Sequence, residues 1–421
     1  MVLAWITHIA LDKRWNIDNK LYHNMLVIIF ISRPLLSATM QIKDVVTYVG
    51  RAFVGKPVTG FRGPYEEVAS RISQGFTAVY VKVITDDGLI GWGEAMAREA
   101  PSATASIINE LFKPMLIGKD PLDTEVLWEE LFTAMRIRGH HAGYYVEALS
   151  GVDLALWDLK GKILGKPVHK LLGGAFRSDI RAYASSVVFM SPEDAVKEIE
   201  KLLEQGFRYI KVKIGRGYDI DKSVIKAIRD SLGNEVNIIV DANTAYNVAT
   251  AIKVGRMLEK YDVVWFEEPI PPDSLEGYIR IAKALDIPIA GAETLFTKYQ
   301  WLEFMSREAV DVAMPDIARV GGITELLRIR ALADSFGIPM TFHIGLSGAE
   351  CRAATLQFIA ATPTNILFTP AYEYYYVEKN PLAYEITKEP VENFRSDYVT
   401  IPGKPGLGVE IDEEKLRKYI T

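Results

Sequence analysis

A chain of 421 residues with a 49% apolar share is long enough to bury the cores of two or three domains. Its net charge of −6 and pI near 5.7 leave no basic footprint for nucleic acid or an anionic membrane, so a small molecule is the expected partner. One cysteine, Cys351, excludes an internal disulfide framework, points to a reducing, cytoplasmic setting, and reads as a small core residue.

Residues 1–39 read apart from the rest. The apolar run Leu26 to Ser32 is far shorter than the roughly 20 residues a membrane span needs. Asp12, Lys13, Arg14 and Asp18 follow an apolar start, the reverse of a secretory signal. We expect an upstream extension without a catalytic role. Met40 then opens MQIKDVVTYVG, the first of two or three antiparallel strands that end near Ala95, with a hairpin at Asp86-Asp87-Gly88. Between them Arg51 to Tyr65 forms a polar loop with three glycines, carrying Arg51, Lys56, Thr59, Arg62 and Tyr65. It is either a surface connection or a lid. Helical patterns run from Ser102 to about Leu172 and stop at Gly173-Gly174. The pair His140-His141 within them is a weak metal candidate.

From Asp179 onward strand and helix signals alternate. Strands are expected near 180–187, 209–215, 236–242, 263–268, 288–294, 310–316, 338–344 and 365–369, with helices such as Pro192 to Gln205 and Val248 to Lys260 between them. Eight alternations predict a closed parallel barrel with its site at the carboxyl rim. After Tyr376 the pattern fades into a loop, Val399 to Val409, and a short helix from Asp412.

Polar residues recur where these strands end. Asp241, Glu267 and Glu293 are spaced 26 and 26 residues apart, one strand–helix unit each, so consecutive strands would present one carboxylate apiece at one rim. Three such oxygen donors suit a hard divalent cation, most simply Mg²⁺. Lys211 and Lys213 point to the same strand face, either as solvated surface lysines or as a crowded pair in which one ammonium falls toward the range of a general base. His343 lies 27 residues after Asp316, whose carboxylate on the neighbouring strand could orient its ring. Bases flanking a metal suit removal of a proton from the carbon beside a carboxylate, because the cation stabilises charge that develops in the transition state.

These residues, with ALSGVDLALWDLKGKILGKPVHKLLG (Ala148 to Gly173), Asp241-Ala-Asn243, Glu267-Glu268-Pro269, Pro315-Asp316 and Gly321-Gly322, resemble the mandelate racemase subgroup of the enolase superfamily from Met40 to the C-terminus. The resemblance implies an α/β protein, a modified (β/α)8 TIM barrel under an α+β capping domain built from both chain ends. The capping domain would span 40–175, the barrel 176–380 and the returning segment 381–421. It implies one Mg²⁺ per subunit on Asp241, Glu267 and Glu293, Lys213 as one base and the His343–Asp316 dyad as the other. Lys211 would assist electrostatically, Asn243 would sit near the ligands, and the loop from Arg51 would close over substrate. Such relatives are commonly dimers or octamers, so a homo-oligomer is expected. The family's eighth strand ends in a glutamate; here either Glu373, after a local insertion, or Thr369 fills that place.

The same residues serve a racemase and a dehydratase. The polar lid favours a polyhydroxylated acid, hence an aldonate-type acid-sugar dehydratase giving a 2-keto-3-deoxy acid. A racemase or epimerase of a hydroxy or sugar acid is the alternative, and a non-catalytic sugar-acid binding barrel a third reading.

Overall fold

A computed structural model describes residues 40–54, 75–376 and 379–421. The extension 1–39 and the loop residues Lys56, Thr59, Arg62 and Tyr65 lie outside them. Strands β1 (Ile42–Phe53), β2 (Gly75–Thr85) and β3 (Ile90–Met96) form an antiparallel sheet. Gly88 supplies the positive φ in the expected hairpin turn. Helices α1 (Pro101–Ile107), α2 (Thr124–Arg136) and α3 (Tyr144–Ile163) follow.

The eight-stranded parallel barrel comprises β4 (Asp179–Val187), β5 (Tyr209–Lys213), β6 (Asn237–Asp241), β7 (Phe266–Glu267), β8 (Ile289–Gly291), β9 (Val312–Ala313), β10 (Met340–Phe342) and β11 (Leu367–Tyr375). Each pairs with the next, and β11 pairs back with β4 to close it. Seven helices cover the outside: α4 (Pro192–Glu204), α5 (Tyr218–Leu232), α6 (Val248–Leu258), α7 (Leu275–Ala284), α8 (Thr297–Ser306), α9 (Gly322–Phe336) and α10 (Ala349–Ala360). Their starts follow ordinary capping chemistry: Ser191 accepts from the Asp194 amide and Asn247 from the Thr250 amide. Ala195, Ile199 and Leu202 form the inward stripe of α4 at helical spacing. Among the described residues no barrel helix follows β11. A single turn, Pro381–Tyr384, packs Leu382 beside Ala52, Phe76 and Tyr80 on the three-stranded sheet, where the Tyr80 hydroxyl donates to the Leu382 carbonyl at 2.8 Å.

The eighth strand differs from its expected span, 365–369. Pro370 lacks a ladder donor and would ordinarily end such a run. Instead Met340 faces Leu367 and Phe342 faces Tyr372, so five residues advance against two and the strand bulges past the proline. That extra length moves Thr369 to an exposed position early in the strand and carries Glu373 to its carboxyl end.

Helix α3 is the seam between sheet, barrel and tail. Glycines let it lie directly on β3: a Cβ on Gly93 would stand 2.2 Å from the Gly151 carbonyl oxygen. Its Asp153 accepts from the Thr324 hydroxyl and amide at 2.5 and 3.0 Å, and Asp158 accepts from the Trp92 and Leu407 amides at 2.8 and 2.9 Å. The quoted stretch ALSGVDLALWDLKGK is therefore architectural, fixing the sheet over the barrel mouth.

A second seam joins β3 to α10. The buried Glu94 carboxylate accepts from the Gly348 amide at 2.6 Å and the Cys351 amide at 3.3 Å, and burial pushes its pKa up to about 7. The folded protein holds a proton there that the unfolded chain has lost above about pH 4.5. Stability from this group is thus present below that pH and lost as pH rises through 7. Glu94→Gln is expected to gain on the wild type across that window, by about 3 kcal/mol at most. Denaturant unfolding between pH 4.5 and 8 checks this, and a pH-independent difference would contradict it. Among the described residues no helix is long and apolar enough to cross a membrane. His140 and His141 are exposed in the turn before α3.

Candidate active site

Period-2 alternation on short strands sorts the barrel's side chains. Tyr183, Ile239, Ala290, Val312 and Met314 fill the interior with Trp265, while Asp241 and Glu267 end β6 and β7 in register with each other. Glu293 follows β8 by two residues and His343 follows β10 by one. Lys211 and Lys213 project together from β5, and Asp316 bridges to His343 from the loop after β9.

The carboxylates and cations interlock. Lys211, fully buried, lies 2.6 Å from Glu267 Oε1, 2.7 Å from Glu373 Oε1 and 3.7 Å from Asp241 Oδ2, beneath the Tyr183 ring. Lys213 Nζ is 2.5 Å from Asp241 Oδ2. His343 Nδ1 meets Asp316 Oδ2 at 2.6 Å and its Nε2 faces Glu293 Oε2 at 3.1 Å. Asn243, at positive φ, donates its amide to Asp241 Oδ1 at 2.7 Å. Glu373 also accepts from the Ile344 and Gly345 amides, each at 2.9 Å, and from the Ser185 hydroxyl at 2.7 Å. Arg51 sits half-buried on β1 opposite Thr77, and no hydrogen bond or ion pair joins it to this cluster among the described residues. Thr369 does not reach the cluster either.

Burial disfavours every charge here, and the neighbours decide the outcome. The Lys211 ammonium is pushed well above the usual lysine range because Glu267, Glu373 and Asp241 outweigh its desolvation. For Lys211 the acids around it outweigh any repulsion from Lys213. His343 is pushed up to about 9, as Glu293, Asp316 and Glu373 overcome its burial. Despite its burial Glu373 is held well below the usual carboxylate range, chiefly by Lys211 and His343. Burial pushes Glu268 well up, with Glu293 and Asp241 adding to it; its Oε1 accepts from the Ala292 amide at 2.7 Å.

Asp241, Glu267, Glu268, Glu293, Asp316 and Glu373 supply six carboxyl groups against the three cations of Lys211, Lys213 and His343. Burial pushes Glu267 up to about 8 and Glu268 well up, a cost of crowding acids in the interior that a bound cation would offset, and hard oxygen donors on adjacent strands are what Mg²⁺ takes. No three of these side chains form a ready coordination sphere among the described residues. Asp241 is turned to Lys213, Glu267 to Lys211 and Glu293 to His343. The donor chemistry fits the cation, and each of the three donors also pairs with a cation of the protein.

Glu268, Ser185 and Tyr183 escaped the sequence reading. Glu268 was visible as the second acid of EEP, but nothing in a strand pattern marks which of two adjacent acids turns inward. Ser185 has no signal beyond its position at the end of β4.

A closed parallel barrel with a row of acids at its carboxyl rim, flanked by a lysine and a histidine–aspartate pair, defines an enzyme of the enolase superfamily. The chain matches the mandelate racemase / muconate lactonizing enzyme N-terminal domain over residues 51–173 and the enolase C-terminal domain-like family over 194–415, and it belongs to that family. It is 36% identical to the D-galactarolactone cycloisomerase of Agrobacterium fabrum, over 85% of this chain and 94% of that one. It is also 36% identical to the arabinonate dehydratase of Saccharolobus solfataricus, over 81% and 90%. Among solved structures it resembles the 3,6-anhydro-D-galactonate cycloisomerase of Zobellia galactanivorans, with a TM-score of 0.79 and 31% identity over 90% of this chain and 99% of that one.

Proposed function

We propose that this enzyme is a Mg²⁺-dependent acid-sugar dehydratase, a carbon–oxygen lyase acting on an aldonate-type head: a carboxylate, an α-hydrogen and a β-hydroxyl. The observation that carries the proposal is the arc on which the residues stand. In the barrel order, Asp241 on β6, Glu267 on β7 and Glu293 after β8 lie on one arc between Lys213 on β5 and His343 after β10. Glu373 on β11 and Ser185 on β4 close the other arc. An acid held at the carboxylate row therefore has a proton-transfer group on each side. The dehydratases of Saccharolobus solfataricus and Haloferax volcanii named for arabinonate and xylonate, at 36% and 29% identity, support that choice.

Asp241, Glu267 and Glu293 would hold the cation, which when bound supplies electrophilic stabilisation of the charge developing on the substrate carboxylate. Lys213 and His343 move the protons: one takes the α-hydrogen, the other gives a proton to the departing β-hydroxyl. Asp316 fixes the His343 tautomer by accepting from Nδ1, so that Nε2 faces the site. Lys211 holds Glu267 and Glu373 in place, and Asn243 orients Asp241. Arg62 and Tyr65 are assigned as lid contacts to substrate; Arg51, expected in the same loop, instead belongs to strand β1, where it faces Thr77. A homo-oligomer working in the cytoplasm on a small acid completes the reading. A racemase or epimerase using the same two bases is the second reading.

The test incubates the protein with Mg²⁺ and five- and six-carbon aldonic and aldaric acids and detects 2-keto-3-deoxy acid. At least one acid is expected to give product. No product from any acid, with deuterium still entering an α-carbon from D₂O, would replace dehydration by racemisation or epimerisation.

A further inference from the structure

Arg98 lies in the segment just after β3, on the side of the sheet that faces the barrel mouth, and is half-buried. Its guanidinium approaches the loop after β10 at Gly345, whose φ is +53°. A Cβ built on Gly345 would stand 2.9 Å from Arg98 Nη2 and 2.9 Å from His343 Nε2. Those two nitrogens are therefore no more than twice that distance apart. Glycine at 345 is what leaves room for both. Ser347 and Leu346 of the same loop, with Met96 and Thr77 of the sheet, line a cleft that also contains Arg98.

The guanidinium makes no hydrogen bond and no ion pair among the described residues. Glu147, the acid on α3 that senses its charge, is 4.0 Å from Arg319 Nε instead. Glu94 in the same cleft is already served by two backbone amides. A half-buried guanidinium with five donors, unpaired among the described residues in a cleft it shares with Glu94 and Glu99, stands beside the proton-transfer histidine and suits one incoming anion of planar, bidentate shape. The row of acids, whose Glu293 lies 3.1 Å from His343 Nε2, would take the reacting carboxylate of a substrate. It leaves Arg98 for the other end.

We propose that Arg98 is a specificity-determining residue that binds a second, distal carboxylate, so that the substrate class is an open-chain sugar diacid (an aldaric acid) and not a neutral-ended aldonic acid. This rests on the dehydratase reading only in placing the reacting carboxylate at the row of acids. A neutral hydroxymethyl end would leave the guanidinium without an anionic partner among the described residues, whereas a carboxylate completes it.

The experiment compares kcat/KM for hexaric and hexonic acids of matched configuration in the wild type, Arg98→Met and Arg98→Lys. The wild type is expected to favour the diacid by at least about tenfold, since one charge-assisted pair is worth roughly that in affinity. Arg98→Met should raise KM for the diacid at least tenfold more than for the monoacid, with the change falling on KM more than on kcat, and Arg98→Lys should recover part of it. Equal losses on both acids, or a wild-type preference for the monoacid, would overturn the assignment. Equilibrium binding of the same acids to the Mg²⁺-loaded His343→Asn protein, with and without Arg98→Met, makes the comparison without turnover. Diacid preference there that disappears with Arg98 supports the proposal even if no 2-keto-3-deoxy acid ever forms, an outcome that sinks only the dehydratase reading. No diacid preference in binding sinks the proposal itself.

Discussion

Lys213→Ala and His343→Asn are each expected to lower dehydration by about 10²- to 10⁴-fold, the range that a positioned proton-transfer group contributes, and to fail in different ways. The two groups stand on opposite sides of the carboxylate row, at the ends of β5 and β10. In a dehydration only one of them meets the α-hydrogen, while the other serves the leaving hydroxyl. Losing the first abolishes both elimination and α-proton exchange with D₂O. Losing the second abolishes elimination but leaves exchange, because the carbon acid can still be deprotonated and reprotonated on the same side. A racemase gives another pattern, in which each variant loses exchange for one configuration of substrate and keeps it for the other. NMR of the α-position in D₂O beside the keto-acid assay reads both. Turnover within tenfold of wild type in both variants would remove Lys213 and His343 from the chemistry. Asp316→Asn offers the intermediate case: its carboxylate holds Nδ1 at 2.6 Å, and an amide in its place can present a donor and impose the wrong tautomer.

The barrel was legible because period and punctuation agree along the chain. Short Val- and Ile-rich runs alternate with amphipathic segments that begin at Ser191 or Asn247 and stop at glycines such as Gly233 and Gly337. The candidate site was legible for the same reason: a side chain at the end of a parallel strand has one place to go. What remained hidden depended on long-range packing. The bulge at Pro370 is a contest between a local breaker and pairing to β4 and β10, and pairing wins. The rise of the Lys211 pKa could not be foreseen from its neighbour two residues away, since the acids that cause it arrive from β6, β7 and β11. Arg98 is just another surface-like arginine in sequence. Only the sheet's position over the barrel mouth, set by glycine contacts between β3 and α3, brings it beside His343.

Lys211→Met is expected to destabilise the metal-free enzyme by about 3–5 kcal/mol, the usual consequence of deleting one partner of a buried ion pair, and to destabilise the Mg²⁺-loaded enzyme by less. The ammonium is buried among Glu267, Glu373 and Asp241, and its aliphatic stem alone cannot neutralise them. Methionine fills most of the volume, which separates the charge effect from a cavity. Burial already pushes Glu267 up to about 8, so without the cation of Lys211 it is Glu373 that must take up a proton or open the barrel mouth to water, because it loses the interaction that does most to hold its carboxylate ionised. A divalent ion on Asp241, Glu267 and Glu293 offsets part of that deficit, because binding to the folded state alone contributes RT ln(1 + [L]/Kd), about 2.7 kcal/mol at a hundredfold excess over Kd. Denaturant unfolding of wild type and variant, in EDTA and in saturating Mg²⁺, reads the four free energies. If the penalty is the same with and without Mg²⁺, Lys211 acts only on Glu373 and the fold. If it is below about 1 kcal/mol in both, typical of an exposed pair, the site is wetter than its burial implies. A penalty that shrinks on adding Mg²⁺ ties the lysine and the ion to the same carboxylates, and identifies the acid excess at the barrel rim as the feature that calls for a metal.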